Sequence, residues 1–102
     1  MDFHTALGEV IRTKRLANGK TLRQLASKSF LALGYLSEVE RGHKQASSAV
    51  IEGIANGLGV APHDLVIETG LLMASEAIPD TAESLFTPIR NTDWQKQYAD
   101  LR

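Results

Sequence analysis

An all-α fold is predicted by three features of the 102-residue chain. Apolar residues recur at helical spacing through its first three quarters, hydroxyl or proline start signals and glycine stop signals bracket those runs, and no series of short alternating segments carries hairpin turns. The first segment, about Phe3 to Asn18, places Phe3, Leu7, Val10 and Ile11 on one face and leaves Glu9, Arg12 and Thr13 for solvent. Asn18-Gly19 ends it. The second opens with Thr21-Leu22-Arg23-Gln24, a capping box in which hydroxyl and amide each satisfy an orphan backbone donor, and runs through Leu25 and Ala26 to about Ser29.

A third helix, near Ala32 to Arg41, is marked by Leu36 and Val39 and closed by Gly42. After the loop His43 to Ala46, Ser47 or Ser48 caps a fourth helix carrying Ile51, Ile54, Ala55 and Leu58 before Gly59. Pro62 starts a fifth, whose Leu65, Val66, Ile67, Leu71, Leu72 and Met73 are too widely spread for one core stripe. Part of that surface is expected to be covered by something outside its own domain. Beyond Ala77, Ile78-Pro79-Asp80-Thr81 and Thr87-Pro88 are breakers, while Trp94, Tyr98 and Leu101 suggest a short terminal helix begun near Asn91 or Thr92. The expected organisation is thus a five-helix domain over residues 3 to 75 and a partly helical extension over 76 to 102.

A hydrophobic fraction of 43% against 23% charged residues is ordinary for one globular core. Absence of cysteine excludes disulfides and thiolate metal sites, and no apolar run approaches the ~20 residues that span a bilayer, so a cytoplasmic protein without a membrane partner is expected. The net charge of −1 gives no sign of a polyanionic partner. Its distribution does. Residues 1 to 48 carry eight cations (Arg12, Lys14, Arg15, Lys20, Arg23, Lys28, Arg41 and Lys44) against four anions, a net +4, whereas residues 49 to 102 carry three against eight, a net −5.

Thr21 to Gly42 is the informative stretch. Two short helices joined by a tight turn cross steeply only where small and apolar residues fill the contact, and Ala26, Leu31, Leu36 and Val39 fall there. The second of the two is then held proud of the domain, at a size that fits a DNA major groove. Projected at 100° per residue, it turns Ala32, Leu36 and Val39 inward and Gly34, Ser37 and Arg41 outward, flanked by Leu33 and Glu38. Base readout is assigned to Leu33 against thymine methyls, to Ser37, and to Glu38 accepting from cytosine N4, with Gly34 allowing close approach. Phosphate anchoring falls to Arg23, Lys28, Tyr35, Arg41, His43 and Lys44 at or beside the helix ends. Leu33 also reads as a core residue, and Tyr35 as cover for the domain edge.

Over about residues 7 to 66, these features resemble the lambda-repressor/Cro-like (XRE-type) helix-turn-helix family: Leu25-Ala26, Leu36-Ser37, Glu40-Arg41-Gly42, the Ser47 start and Leu58-Gly59-Val60 fall at its spacings. The resemblance implies a structural ion pair between Arg15 and Glu40. A narrower similarity, carried by Leu22-Arg23, Gly34 to Gly42 and Ala46-Ser47-Ser48, is to the actinobacterial Clp protease gene regulators (the ClgR group), which are transcription activators. Departures are Phe30 at a turn position usually held by Gly, Ala32 at the usual hydroxyl cap, which leaves the turn looser or capped by other means, and Leu22 where many relatives place a polar phosphate contact. Backbone amides at that helix start, or Arg23, would substitute there.

Catalysis and metal binding find no support. His4, His43 and His63 lie on different elements, Glu38 and Glu40 point to different helix faces, Ser47-Ser48 is explained by capping, and no Gly-rich phosphate loop exists, so neither an enzyme nor a cofactor is expected. The function expected is a sequence-specific transcription regulator that binds pseudo-palindromic double-stranded DNA as a homodimer, because one helix reads too few base pairs to select a promoter. Leu71, Leu72, Met73, Trp94 and Tyr98 are the expected dimer interface, with core packing and a loose tail as the plainer readings. The Clp regulator resemblance implies activation of protease and stress genes, contact with RNA polymerase through acidic groups such as Glu38 or Glu52, and turnover by the Clp protease. An antitoxin-type autorepressor and a protein-bridging coactivator are the alternatives.

Overall fold

Asp2 starts the first helix. Its carboxylate accepts from the Thr5 amide at 2.8 Å, and that hydrogen bond holds the carboxyl below the usual carboxylate range. In the computed structural model, which describes residues 1 to 77, α1 spans Phe3–Ala17, α2 Leu22–Lys28, α3 Leu33–Glu40, α4 Ser48–Leu58 and α5 Pro62–Ala77, with no strand among the described residues. The all-α expectation holds. The proposed terminal helix, with Trp94 and Tyr98, lies outside the described residues.

Local chemistry explains most of the boundaries. At α2 the capping box is complete: the Gln24 amide donates to Thr21 Oγ1 at 3.0 Å and the Thr21 amide to Gln24 Oε1 at 2.8 Å. Ser47 caps α4 through the Val50 amide, and Gly59 ends it with φ +75°, the left-handed conformation that an L side chain resists.

Each helix contributes its apolar stripe to one core. Leu7, Val10 and Ile11 of α1 meet Leu25 and Ala26 of α2, Leu36 and Val39 of α3, Ile54, Ala55 and Leu58 of α4, and Leu65 of α5. Helix α1 packs on α5 and α3, and α4 packs on α2 and α5. Among the described side chains of α5, Leu65 and Thr69 are the buried ones, with the Thr69 hydroxyl donating to the Leu65 carbonyl at 2.7 Å. Leu72 and Met73 are half-buried, while Val66, Ile67 and Leu71 remain 45%, 46% and 58% exposed.

The α1–α3 crossing positions the motif. A Cβ at Gly8 would lie 2.4 Å from the Glu40 carbonyl oxygen and 2.6 Å from that of Val39, and one at Gly42 would lie 2.8 Å from Thr5 Cα. Thr5 against Gly42 and Gly8 against Val39 and Glu40 make the two helices antiparallel, at a separation only glycine permits. Hence α3 lies hard against α1 along one side and open along the other.

Candidate nucleic-acid interface

The turn before α3 is where the sequence departs from its own rules. Phe30 is 92% exposed and takes φ +57°, the only non-glycine residue with positive φ among those described. It replaces the glycine of a Schellman-type helix end: the Leu31 amide donates to the Ala26 carbonyl at 2.9 Å and the Phe30 amide to the Ser27 carbonyl at 3.2 Å. The turn is therefore closed by backbone bonds rather than loosened. Ala32 is the N-cap of α3, with extended dihedrals and no side-chain cap bond, and it is exposed. The helical projection that turned it inward fails because the chain there has not yet entered the helix.

From that uncapped start, Leu36 and Val39 face the core, and Leu33 and Tyr35 are half-buried against it. Leu33 therefore packs against the core with part of its side chain and leaves the rest to solvent. Gly34 is exposed, and a Cβ there would meet nothing within 4 Å. Ser37 and Glu38 are partly exposed, and Arg41 is exposed, on the same outer side.

The underside of α3 is clamped by charge. Arg15 Nε donates to Glu40 Oε2 at 2.8 Å, Arg15 Nη2 to Glu40 Oε1 at 3.1 Å, and Arg15 Nη1 to the Lys20 carbonyl at 3.0 Å. With the side chains 11% and 7% exposed, this two-pronged pair satisfies both carboxylate oxygens where water is nearly excluded.

Beyond α3, the loop is tied down twice. The Tyr35 hydroxyl donates to the Gln45 carbonyl at 2.7 Å, and Glu38 Oε2 meets His43 Nδ1 at 2.9 Å. The one proton of the Tyr35 hydroxyl is thereby committed to the loop, so donating it to a phosphate requires breaking that bond; the geometry gives Tyr35 the role of a loop brace. Both His43 and Lys44 are exposed on the loop it steadies.

The cations are divided by the same packing. Lys14 is bound to Glu68 and Arg15 to Glu40, whereas Arg12, Lys20, Arg23, Lys28, Arg41 and Lys44 pair with no carboxylate among the described residues. Arg23 projects near the start of α2, and Lys28 stands at its other end, with its Cβ beside Gly57 of α4. Arg12, assigned from its period to open solvent, lines a polar depression together with Ser37, Glu40 and Arg41. Among the described residues no group of three or more His, Asp or Glu side chains could hold a metal ion, and no helix is long and apolar enough to cross a membrane.

Comparison with known proteins agrees with this geometry. A family model described as a helix-turn-helix domain matches residues 6–66. Transcriptional regulator ClgR of Mycobacterium tuberculosis is 37% identical over 70 residues, covering 69% of this chain and 62% of the relative. An uncharacterized HTH-type transcriptional regulator of the same organism is 36% identical over 90 residues, covering 88% and 64%. The chain therefore spans less than two thirds of the length of either relative. Among solved structures, the clp gene regulator ClgR from Corynebacterium glutamicum superposes with a TM-score of 0.72 at 37% identity, covering 93% of this chain and 95% of that one. The restriction-modification controller protein C.AhdI from Aeromonas hydrophila superposes with a TM-score of 0.59 at 33% identity, covering 60% and 92%. By family model, identity and architecture alike, the chain belongs to the helix-turn-helix domain family, in its XRE-like branch, and resembles the ClgR regulators within it.

Proposed function

We propose that this chain is a sequence-specific DNA-binding transcription regulator that lays the outer face of α3 in the major groove. The observation that carries the reading is the asymmetry of α3: its inner side is locked to α1, while Gly34, Ser37, Glu38 and the exposed edge of Leu33 form an open surface flanked by unpaired cations. Gly34 lets the helix approach base edges, and Leu33, Ser37 and Glu38 supply methyl contact, hydroxyl and acceptor. Arg23, Arg41, His43 and Lys44 hold the flanking backbone, with Lys28 at the periphery and Tyr35 acting through the loop.

A single α3 spans too few base pairs for promoter selection, so the active species is a homodimer on a pseudo-palindromic site. The exposed Val66, Ile67 and Leu71, with Leu72 and Met73 beside them, support α5 as the pairing surface; Trp94 and Tyr98 are assigned to pairing from the sequence alone. Likeness to the clp gene regulators supports Clp protease genes as targets. Activation through RNA polymerase, a link to stress response and proteolysis, and turnover of the regulator by the Clp protease belong to the same reading.

Selection of bound duplexes from a random pool tests it directly. The expected result is an inverted repeat with half-sites one helical turn or a multiple apart. Recovery of no sequence preference overturns specific recognition, recovery of a single half-site overturns the paired mode, and a stable monomer at micromolar concentration by light scattering overturns the dimer.

A further inference from the structure

We propose that the polar depression between α1 and α3 is a phosphate-binding site, in which the guanidinium groups of Arg12 and Arg41 hold one phosphate of the DNA backbone beside the groove read by α3. The inference rests on the DNA-binding reading and adds α1, an element outside the helix-turn-helix, to the interface.

Four side chains line the depression: Arg12, Ser37, Glu40 and Arg41. Glu40 is the one anion among them, and both of its oxygens are taken by Arg15 from beneath. With that charge compensated, the depression is lined by Arg12 and Arg41, neither with a carboxylate partner among the described residues, and by Ser37. Two guanidinium groups with no carboxylate partner suit a tetrahedral oxyanion of single charge. The antiparallel crossing at Gly8 fixes the register: one turn further along α1 from the contact of Gly8 with Glu40, Arg12 comes opposite Ser37. Since Ser37 and Arg41 also belong to the outer side of α3, a helix seated in the major groove carries the depression to the adjoining strand.

The test uses the full chain with a duplex recovered by random selection and an unrelated duplex of equal length, titrated over 50 to 200 mM salt. Arg12→Gln is expected to flatten the dependence of log affinity on log salt by about 0.9 and to narrow the parent-to-variant affinity ratio about threefold across that range. Both duplexes are expected to weaken alike, with the melting temperature unchanged and Arg12→Lys retaining the parent slope. An Arg12→Gln slope equal to the parent's overturns the site, as does a change in sequence preference, which would place Arg12 on bases. If the parent binds neither duplex, the DNA-binding reading itself fails, an outcome distinct from either of these.

Discussion

The two helices of the motif are made in opposite ways. Helix α2 is written into its own sequence: Thr21 and Gln24 cap it reciprocally within four residues, and the turn bonds of Ser29, Phe30 and Leu31 close it. Helix α3 has no side-chain cap, no acidic residue in its first turn and no basic residue in its last, and its entry passes through a phenylalanine in left-handed conformation. It is held instead from beneath, by Leu36, Val39, the close pass over Gly8 and the Arg15–Glu40 pair. A helix whose stability comes from one side has its other side and its leading end free for a partner, and that division is what a reading helix requires.

The sharpest way to break the contrast is to remove the support of α3 from below. Glu40→Ala leaves the nearly buried Arg15 guanidinium without its carboxylate and is expected to cost about 3 to 5 kcal/mol, measured by urea denaturation. DNA binding is lost with it, through unfolding. A loss below about 1 kcal/mol would mean that α3 is held by apolar packing alone.

Capping separates the helices at a smaller scale. Thr21→Ala is expected to destabilise the domain by about 1 kcal/mol, whereas Ala32→Ser, at a residue whose extended dihedrals already suit a cap, is expected to stabilise it by a similar amount. Phe30→Gly tests the turn between them. The side chain is 92% exposed, so little burial is forfeited, and relief of the left-handed strain is expected to raise stability by roughly 1 kcal/mol, less the greater chain entropy of glycine when unfolded. A destabilised Phe30→Gly would show that the ring contributes packing, not strain. Thermal melts of the three variants against the parent decide the signs.

Legibility in the sequence follows the same division. Wherever structure depends on neighbours three or four residues apart, as in the α2 capping box, the Ser47 cap, the Gly59 stop and the apolar stripe of α1, residue spacing locates it closely. The Arg15–Glu40 pair, 25 residues apart, came from family resemblance and has no local signature. Periodicity misplaced Ala32 because it treats a cap as helix, and it made Leu33 an outer residue although the side chain dips partly into the core. Arg12 faces solvent, as its period implies, but that solvent borders Ser37 and Arg41, a fact created by the register of α1 on α3. Gly8 sets that register. A lone glycine in a helical run signals close approach in general without naming what approaches.

Gly34 gives the smallest change in stability and the most discriminating result. Inside a helix glycine is a cost, because the unfolded chain it leaves is freer, and at Gly34, in the first turn of α3, alanine is expected to stabilise the helix by up to about 0.5 kcal/mol. Nothing in the fold opposes this, since a Cβ at Gly34 meets no atom within 4 Å, in contrast to Gly8, where the same methyl would strike two backbone carbonyls. A purely structural account of α3 therefore predicts that Gly34→Ala raises the melting temperature and leaves every other property alone. If the open face lies in the major groove, the added methyl intrudes between helix and base edges, and affinity for the selected duplex falls while stability rises. The opposed signs exclude unfolding as the cause of lost binding, which no substitution on the inner side of α3 is able to do. A Gly34→Ala variant that is more stable and binds DNA as tightly as the parent would remove Gly34 from the contact surface and move the readout toward Ser37 and Glu38.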